Sequence, residues 1–369
     1  MIPYIKGRVA QQAHVAIPEG LYEEEYGRNG FYGAYAHLYR KQPLVAWNRI
    51  EGNLRPRAYD LIKTNHSTSD YLQNRTLYLY NNDVRLYYST VENKMDYFFR
   101  NADGDEILFI HNGEGQIFTD FGPLSYRKGD YLVIPRGTIY QLAPSSLTHI
   151  FLIESMSEVR LPDKGLLGHH AFFDPATMGI PDPEAYPFED KTEYELVVKR
   201  QGSLSHIYYP FCPLNVVGWK GTLTAWKVNT DQIRPIMCER YHLPPSAHST
   251  FVADNFVVVS FLPRSLETGD KDAMKVPFFH SNIDFDEVIF YHSGDFFSRS
   301  GITEGMITFH PQGIHHGPHK NALERSKAAQ KTDEIAVMVD TKNPLLIAEG
   351  AEKVEYVDYW KSWGSYNEK

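Results

Sequence analysis

The sequence is poor in cysteine and has no excess of basic residues. Its 369 residues include two cysteines, Cys212 and Cys238, which are too few for a disulfide framework. The 37 lysines and arginines are outnumbered by 46 aspartates and glutamates, so the formal net charge is -9. Because nucleic acids and anionic membranes select basic surfaces, neither is expected as a partner.

Long apolar segments are also absent. No run reaches the roughly 18 apolar residues that a membrane-spanning helix needs, and residues 1–20 lack the apolar centre of a signal peptide. Because the two cysteines are also interpreted as reduced thiols, we expect a soluble cytoplasmic protein. The chain is instead rich in aromatic residues, with 25 Tyr and 21 Phe, a bias typical of β-structure.

Short strand-like runs dominate two regions of the chain. Residues 76–153 contain TLYLYNN, VRLYYST, EILFIHN, YLVIPRG and THIFLIES, and residues 216–262 contain VVGWKGTLTAWKV and TFVADNFVVVSFLP. Several short strands separated by glycine-containing turns predict a β-sandwich or a barrel. Beyond residue 320, NALERSKAAQ predicts a short helix and EIAVMVDT a closing strand.

Three candidate metal ligands lie between residues 277 and 320. They are His280, Glu287 and His316. Two neutral imidazoles and one carboxylate suit a non-haem Fe(II), because this set leaves coordination positions open for O2 and a substrate. The sequence therefore predicts a three-ligand metal site on neighbouring strands and their turns.

The spacing around these ligands resembles the two motifs of the cupin superfamily. The matching positions are His280, Glu287, Gly294, Gly305, Pro311, Gly313 and His316. Asn282 stands where most cupins have a second histidine, and His316 is followed by Gly317 and Pro318. These two features resemble the homogentisate 1,2-dioxygenase family in particular. Asp284 and Asp286 are rival carboxylate ligands, but the family's spacing to Gly294 favours Glu287.

The same pattern occurs a second time, in the first half of the chain. Its positions are Phe99, Asn101, Glu106, Gly113, Gly129, Pro135, Gly137 and Tyr140. Phe99 and Tyr140 replace the two histidines, so this copy lacks a ligand set. The repeat and the resemblance together predict an all-β protein of two cupin jelly-roll barrels, a bicupin, with a metal only in the second.

Four regions are expected along the chain. Residues 1–60 form an N-terminal arm that wraps another surface, such as a neighbouring subunit. Residues 61–155 form the metal-free barrel, residues 156–215 a linker, and residues 216–369 the metal-binding barrel with a C-terminal extension. The arm and the aromatic C-terminus fit the homotrimer or homohexamer that the resemblance implies.

Two further histidines are candidate catalytic residues. His242, in RYHLPPSAHSTF, resembles the family histidine that takes a proton from the substrate, and imidazole titrates near neutrality. His248 is the alternative. His310 occupies the place of a second family histidine near the iron, where it would hydrogen-bond a substrate or a ligand; otherwise it is a strand-end histidine satisfied by the backbone. No residues that bind an organic cofactor are identified.

One position departs from the family pattern near the expected substrate. Phe296 stands where a family tyrosine contacts a substrate hydroxyl, so that contact is missing. Lys275 or Arg299 is a candidate for holding a substrate carboxylate. Asn282 and Tyr291 are candidates for fixing the ligand imidazoles.

The resemblance implies an Fe(II)-dependent ring-cleaving dioxygenase. Its substrate would be homogentisate (2,5-dihydroxyphenylacetate), from tyrosine and phenylalanine catabolism, and both atoms of O2 would enter the product, maleylacetoacetate. Gentisate or another hydroquinone is an alternative substrate, which Phe296 favours. A non-oxidative metal cupin, either an isomerase or a binding protein, is an alternative of another class and would consume no O2.

Overall fold

The computed structural model describes residues 4–64, 70–183, 187, 191–296, 299 and 301–367. In chain order its strands are β1 (Tyr22–Gly27), β2 (Tyr35–Arg40), β3 (Arg57–Asp60), β4 (Thr76–Tyr80), β5 (Val84–Val91), β6 (Phe98–Asn101), β7 (Asp105–Asn112), β8 (Glu114–Thr119), β9 (Gly122–Arg127), β10 (Asp130–Ile134), β11 (Ile139–Pro144), β12 (Thr148–Ser155), β13 (Tyr194–Arg200), β14 (Ser203–Tyr209), β15 (Trp226–Asn229), β16 (Ser249–Ala253), β17 (Phe256–Phe261), β18 (Phe279–Asn282), β19 (Asp286–Ser293), β20 (Met306–His310), β21 (Ile335–Thr341) and β22 (Leu346–Ile347). The α-helices are α1 (Lys320–Ser326) and α2 (Glu349–Glu352), and short 3-10 helices cover Leu61–Lys63, Gly165–Leu167, Pro175–Thr177, Thr230–Gln232, Pro245–His248 and Tyr359–Asn367.

The described strands form two barrels. A seven-stranded sheet of order β15-β10-β7-β12-β5-β4-β22 and a six-stranded sheet of order β14-β13-β6-β11-β8-β9 build the first barrel. The second barrel combines a six-stranded sheet, β16-β17-β21-β19-β20-β3, with a three-stranded sheet, β18-β1-β2. The all-β bicupin fold predicted from the sequence is confirmed.

Strand β19 is buried on both faces because the two barrels pack against each other. Successive side chains of a strand point to opposite faces. Val288 and Phe290 join the core between the barrels, whereas Ile289 and Tyr291 join the core of the second barrel. Glu287 has the parity of Ile289, so the pleat directs its carboxylate into the second barrel.

Aromatic rings hold the two barrels together. The ring of Phe151 on β12 stacks on that of Phe290 on β19, with centroids 4.6 Å apart and an interplanar angle of 4°. Both side chains are almost completely buried. Burying each one removes apolar surface from water, which stabilises the interface by roughly 1.5–3 kcal/mol per side chain.

The N-terminal segment folds onto its own chain. Strand β1 pairs in parallel with β18 and antiparallel with β2, so it completes a sheet of the second barrel. Strand β3 pairs with β20 at the edge of the larger sheet. Over these strands, the predicted arm of residues 1–60 therefore covers the second barrel of its own chain.

Sheet membership crosses the boundaries that the sequence suggests. The segment predicted as a linker, residues 156–215, contains the hairpin β13–β14, which extends a sheet of the first barrel. Strand β15 also joins the first barrel, by pairing with β10. The strand predicted from VVGWKGTLTAWKV is wrong for residues 216–225, because regular pairing begins only at Trp226.

The C-terminal region packs on the second barrel. The predicted helix and closing strand are confirmed as α1 and β21. The final 3-10 helix buries Tyr359 and Trp363 completely in the core that contains Ile289 and Tyr291. Among the described residues, no helix has the length and apolarity needed to cross a membrane.

Candidate metal centre

Three segments bring the predicted ligands together inside the second barrel. Strand β18 carries His280, β19 carries Glu287, and His316 follows β20 in a short bridge to His280. The bridge consists of two backbone hydrogen bonds, of 2.9 and 3.1 Å, exchanged between His280 and His316. Donor atoms of the three side chains all lie within 4.8 Å of one another, and all three side chains are buried.

The carboxylate faces both imidazoles with the same oxygen. Oε2 of Glu287 lies 3.4 Å from Nε2 of His316 and 3.7 Å from Nε2 of His280. The two imidazole rings have centroids 4.0 Å apart and meet at 66°. Three donor atoms therefore converge on one small volume.

The hydrogen bond of His280 selects its free nitrogen. Nδ1 of His280 lies 3.1 Å from the carbonyl oxygen of Phe278, to which it donates. The proton therefore resides on Nδ1, and Nε2 is left as a lone-pair donor toward Glu287. Ligand histidines in metal sites are oriented by this kind of contact.

His310 holds the Glu287 carboxylate in place through the oxygen that does not face His280 and His316. Its Nδ1 lies 2.7 Å from Oε1 of Glu287, and its Nε2 lies 3.1 Å from the hydroxyl of Tyr359. Its ring also stacks on that of His316, with centroids 4.7 Å apart. His310 is completely buried, so it contacts the predicted ligands and not the cavity.

The buried atoms of His316 fit a metal. Neither ring nitrogen of His316 has a hydrogen-bond partner among the described residues, although the side chain is 97 % buried. A buried polar atom without a partner costs about 1–3 kcal/mol. A metal ion held by His280, Glu287 and His316 would satisfy Nε2, and this donor set suits a non-haem iron.

The protonation of these groups favours metal binding. Burial raises the pKa of the Glu287 carboxyl, but the surrounding imidazoles outweigh burial and hold that pKa well below its usual value. Burial, together with the neighbouring His280, lowers the pKa of His316 to about 3. Glu287 is therefore ionised and His316 neutral near pH 7, which are the forms that bind metals.

A cavity opens beside the centre, and His242 lines it together with His280 and Glu287. Nδ1 of His242 lies 2.9 Å from Oε1 of Glu267, which also accepts a hydrogen bond of 3.0 Å from Arg264. The carboxylate holds the proton on Nδ1, so Nε2 is a proton acceptor. Burial lowers the pKa of His242 despite Glu267, which keeps the ring neutral.

The rival His248 also lines this cavity. Burial lowers its pKa to about 4, so it is a weaker base than an ordinary histidine. The hydrogen bonds described for the chain give its ring no carboxylate partner. Geometry favours His242 because a carboxylate orients only that ring.

Cationic side chains line the same cavity. Lys275, Arg264 and Arg299 all contribute to its wall. The ammonium of Lys275 donates to the backbone carbonyls of Lys327 and Ala329, at 3.0 and 3.2 Å, which fixes its position.

Phe296 does not line this cavity within the described part of the chain. It is buried, with its ring edge-on to Tyr291 at 4.9 Å. Tyr291 does line the cavity, and its hydroxyl lies 3.1 Å from Oγ1 of Thr308.

The rival carboxylates are engaged elsewhere. Asp284 binds Nε of Arg28 at 2.7 Å, and Asp286 accepts backbone hydrogen bonds of 2.7 Å from Gln312 and Leu345. The side chain of Asn282, a predicted partner of the imidazoles, lies outside the described residues.

The first barrel fills the corresponding site with its own cation. Glu106 accepts hydrogen bonds from Arg75 at 2.8 Å, from Asn101 at 3.0 Å and from Tyr140 at 2.8 Å. The guanidinium also lies 5.0 Å from the ring centroid of Tyr87. Sequence reasoning missed Arg75, as it missed Glu267 and Tyr359, because none of them lies in the repeated motif.

Comparison with known families agrees with this geometry. A family model described as homogentisate 1,2-dioxygenase N-terminal matches residues 67–230, and one described as homogentisate 1,2-dioxygenase C-terminal matches residues 226–369. The chain belongs to the homogentisate 1,2-dioxygenase family. It is therefore a member of a dioxygenase family whose enzymes depend on a metal.

Individual relatives span different shares of the chain. The protein named "Putative dioxygenase SSO1533" from Saccharolobus solfataricus is 33% identical and covers 97% of this chain and 98% of its own length. The homogentisate 1,2-dioxygenase of Sinorhizobium fredii is 26% identical over 72% of this chain, and the match spans 62% of that relative. Among solved structures, a cupin 2 conserved barrel domain protein from Leptotrichia buccalis is 10% identical, has a TM-score of 0.36, and covers 78% of this chain and 96% of its own.

Proposed function

We propose that this protein is an Fe(II)-dependent dioxygenase that cleaves the ring of homogentisate and yields maleylacetoacetate. The observation that carries the proposal is the buried set His280, Glu287 and His316, of which His280 and Glu287 line a cavity that also contains the carboxylate-oriented His242. Family membership supports the reaction type. The substrate rests on the relatives named for homogentisate and on the charges of the cavity.

The cavity suits an aromatic acid. Phe278, Ile289 and Tyr291 supply apolar surface for a ring, and Lys275 and Arg299 supply positive charge for a carboxylate. Burial lowers the pKa of Arg299, but Tyr291, Tyr359 and Glu287 outweigh burial and raise that pKa above its usual value, so the guanidinium stays charged.

We assign the proton transfer to His242. Its Nε2 accepts the phenolic proton as the substrate enters, and Glu267 stabilises the imidazolium that forms because its carboxylate already holds Nδ1–H. His310 keeps the Glu287 carboxylate in position through its hydrogen bond. Bound iron would supply the electron exchange between the aromatic ring and O2, and both oxygen atoms end in the ring-opened product.

Location and assembly are also proposals. A cytoplasmic setting fits the free thiols of Cys212 and Cys238. A homotrimer or a homohexamer rests on the family resemblance alone.

The proposal is tested by O2 uptake. Protein loaded anaerobically with Fe(II) is mixed with homogentisate, gentisate or plain hydroquinone, and uptake is followed with the absorbance of the ring. We expect one O2 consumed per homogentisate and replacement of the ring absorbance by that of an opened product. O2 uptake with gentisate alone would make gentisate the substrate instead of homogentisate. No uptake by iron-containing protein would favour the non-oxidative cupin.

The role of His242 has its own test. His242→Gln should retain iron and lose about 10²–10⁴-fold in kcat, because general-base catalysis by a positioned side chain contributes that much. His248→Gln is the matched control, and its kcat should stay within a few-fold of the parent. If kcat falls strongly in His248→Gln and stays near the parent value in His242→Gln, His248 is the base.

A further inference from the structure

A second cluster of metal-ligating side chains lies in the N-terminal part of the chain. His14 precedes β1, Glu23 and Glu25 lie on β1, and His37 lies on β2. Donor atoms of His14, Glu23 and His37 all lie within 4.8 Å of one another. His14 and Glu23 are buried, and the side chain of His37 is 13% exposed.

Strand pairing explains why these residues meet. In the β1–β2 register Glu25 lies opposite His37, and residues opposite each other project to the same face of a sheet. Glu23 and Glu25 are two apart on one strand, so they share that face. His14 enters from the preceding loop, where its ring stacks on Phe278 with centroids 4.3 Å apart.

The nitrogens point at carboxylates without making hydrogen bonds. Nδ1 of His14 lies 2.8 Å from Oε1 of Glu23, and Nε2 of His37 lies 3.4 Å from Oε2 of Glu25. Neither nitrogen has a hydrogen-bond partner in the described part of the chain. Glu23 itself accepts the backbone N–H of His14 at 2.8 Å and the hydroxyl of Tyr39 at 2.6 Å. An ion at roughly 2.0–2.2 Å from both imidazole nitrogens would give each of them the partner that it lacks.

The charge of the cluster is also unbalanced. No lysine or arginine of the described ranges forms an ion pair with Glu23 or Glu25, and histidines are their only ion-pair partners. Glu24 points to the other face, where Arg40 and His315 neutralise it. The buried carboxylate of Glu23 and the half-buried carboxylate of Glu25 beside imidazoles favour a positive charge, which a divalent cation supplies.

We propose that His14, Glu23 and His37 form a second divalent-cation site, of the zinc type, separate from the centre at His280, with Glu25 beside it. Two imidazole nitrogens and one carboxylate oxygen are ligands that zinc prefers, and Glu25 or a water would complete the coordination. None of the three ligands is among the residues that line the cavity beside His280, so the ion is structural. It ties the loop of His14 to the hairpin β1–β2, whose strand β1 pairs with the strand that carries His280.

The experiment counts metal ions in the whole protein. Chelator-treated protein is equilibrated with Zn(II), desalted and analysed for zinc per chain, and crystals of the same sample are examined at the zinc absorption edge. The double variant His14→Asn/His37→Gln removes the proposed ligands; asparagine is chosen because His14 has φ 64, a backbone region that asparagine tolerates. His206→Gln is the control, since His206 forms an exposed pair with Glu195 at 2.5 Å.

The expected counts are two zinc ions in the parent and in His206→Gln, and one in the double variant. His316→Ala should also lose one ion, but from the centre at His280. Zinc binding at the two sites is therefore tested independently. The proposal is overturned by a parent that shows no zinc peak between His14 and His37. An unchanged count in a folded double variant would equally overturn it. The parent crystal decides the question if the double variant does not fold.

Discussion

The two barrels repeat one pattern and balance its charge in opposite ways. In the first barrel Glu106 and its cross-strand neighbour Glu154 meet cations of the protein, Arg75 and Lys199. In the second barrel the corresponding pair is Glu287 and Asp340. Glu287 is surrounded by imidazoles, and the nearest guanidinium nitrogen, Nη2 of Arg299, is 4.0 Å away.

The difference teaches what distinguishes a metal-free copy from a ligand set. Where the protein supplies a guanidinium, the carboxylate is fully used by hydrogen bonds, as at Glu106. Where the protein supplies neutral imidazoles, the negative charge of the carboxylate is not balanced, and a cation can bind. Burial and the neighbouring Glu287 raise the pKa of the Asp340 carboxyl well above its usual value, which favours its neutral form.

The sharpest test of this comparison is one substitution made in both barrels. Glu287→Gln should abolish iron binding and lower kcat by at least about 10³-fold, since the metal carries the hard step. Glu106→Gln should retain iron, because Glu106 already binds Arg75. Metal content and turnover measured on both variants check the pair. Equal iron loss from both would mean that the barrels share the metal.

The next largest effect concerns Arg75. Arg75→Met should destabilise the protein by about 3–5 kcal/mol, because it leaves Glu106 as an uncompensated buried charge. The double variant Arg75→Met/Glu106→Gln should recover most of that loss, since no unpaired charge is left. Denaturant unfolding of the single and double variants measures the coupling. Additive losses would show that Arg75 acts by packing and not by charge.

The barrels agree at one place, where equivalent histidines meet. His111 and His292 lie five residues after Glu106 and Glu287, and their Nδ1 atoms are 3.0 Å apart. Burial lowers the pKa of each to about 3. The unfolded chain, with an ordinary pKa near 6.5, therefore binds more protons between about pH 6.5 and 3, so stability falls as the pH drops through that window.

The size of this acid effect is up to about 2.7 kcal/mol per pH unit for the pair, because each histidine contributes up to about 1.36 kcal/mol. His111→Asn/His292→Asn keeps a polar pair that does not titrate. Its unfolding free energy should fall less steeply than that of the parent between pH 6.5 and 4. Parallel slopes would show that other groups control the acid sensitivity.

The smallest effect is expected at Asp340. Asp340→Asn should change the unfolding free energy by less than about 1 kcal/mol at pH 7, because an amide resembles a protonated carboxyl. The matched change, Glu154→Gln, should cost more, since Glu154 is ionised and paired with Lys199. Thermal unfolding of both variants is the measurement. The reverse order would mean that Asp340 is charged.

The sequence predicts the parts of this fold that rest on local spacing. The interval from Glu287 to Gly294 and the turn before His316 predict the second barrel's strands and its ligand set, and both segments lie where expected. The repeat likewise predicts that Glu106 occupies the equivalent strand position. Arg75 could not be predicted, because it reaches Glu106 across 31 residues and belongs to no motif.

The same reason hides the cluster at His14. Its residues come together only when β1 pairs with β2 and the preceding loop folds onto Phe278. Glu267 is separated from His242 by 25 residues with no regular spacing between them. Contacts of this kind depend on tertiary packing, which a single sequence does not encode in any local pattern.

The edge strand β3 bears on how the protein is made. Residues 57–60 leave the ribosome early, yet their partner β20 starts only at Met306. At roughly 5–20 residues per second, that partner follows after about 12–50 s. During this interval β3 has no partner strand, whereas every strand of the first barrel except β22 is synthesised before β20. The barrel that carries the candidate metal centre is thus closed late, around a segment that was synthesised long before its partner strand.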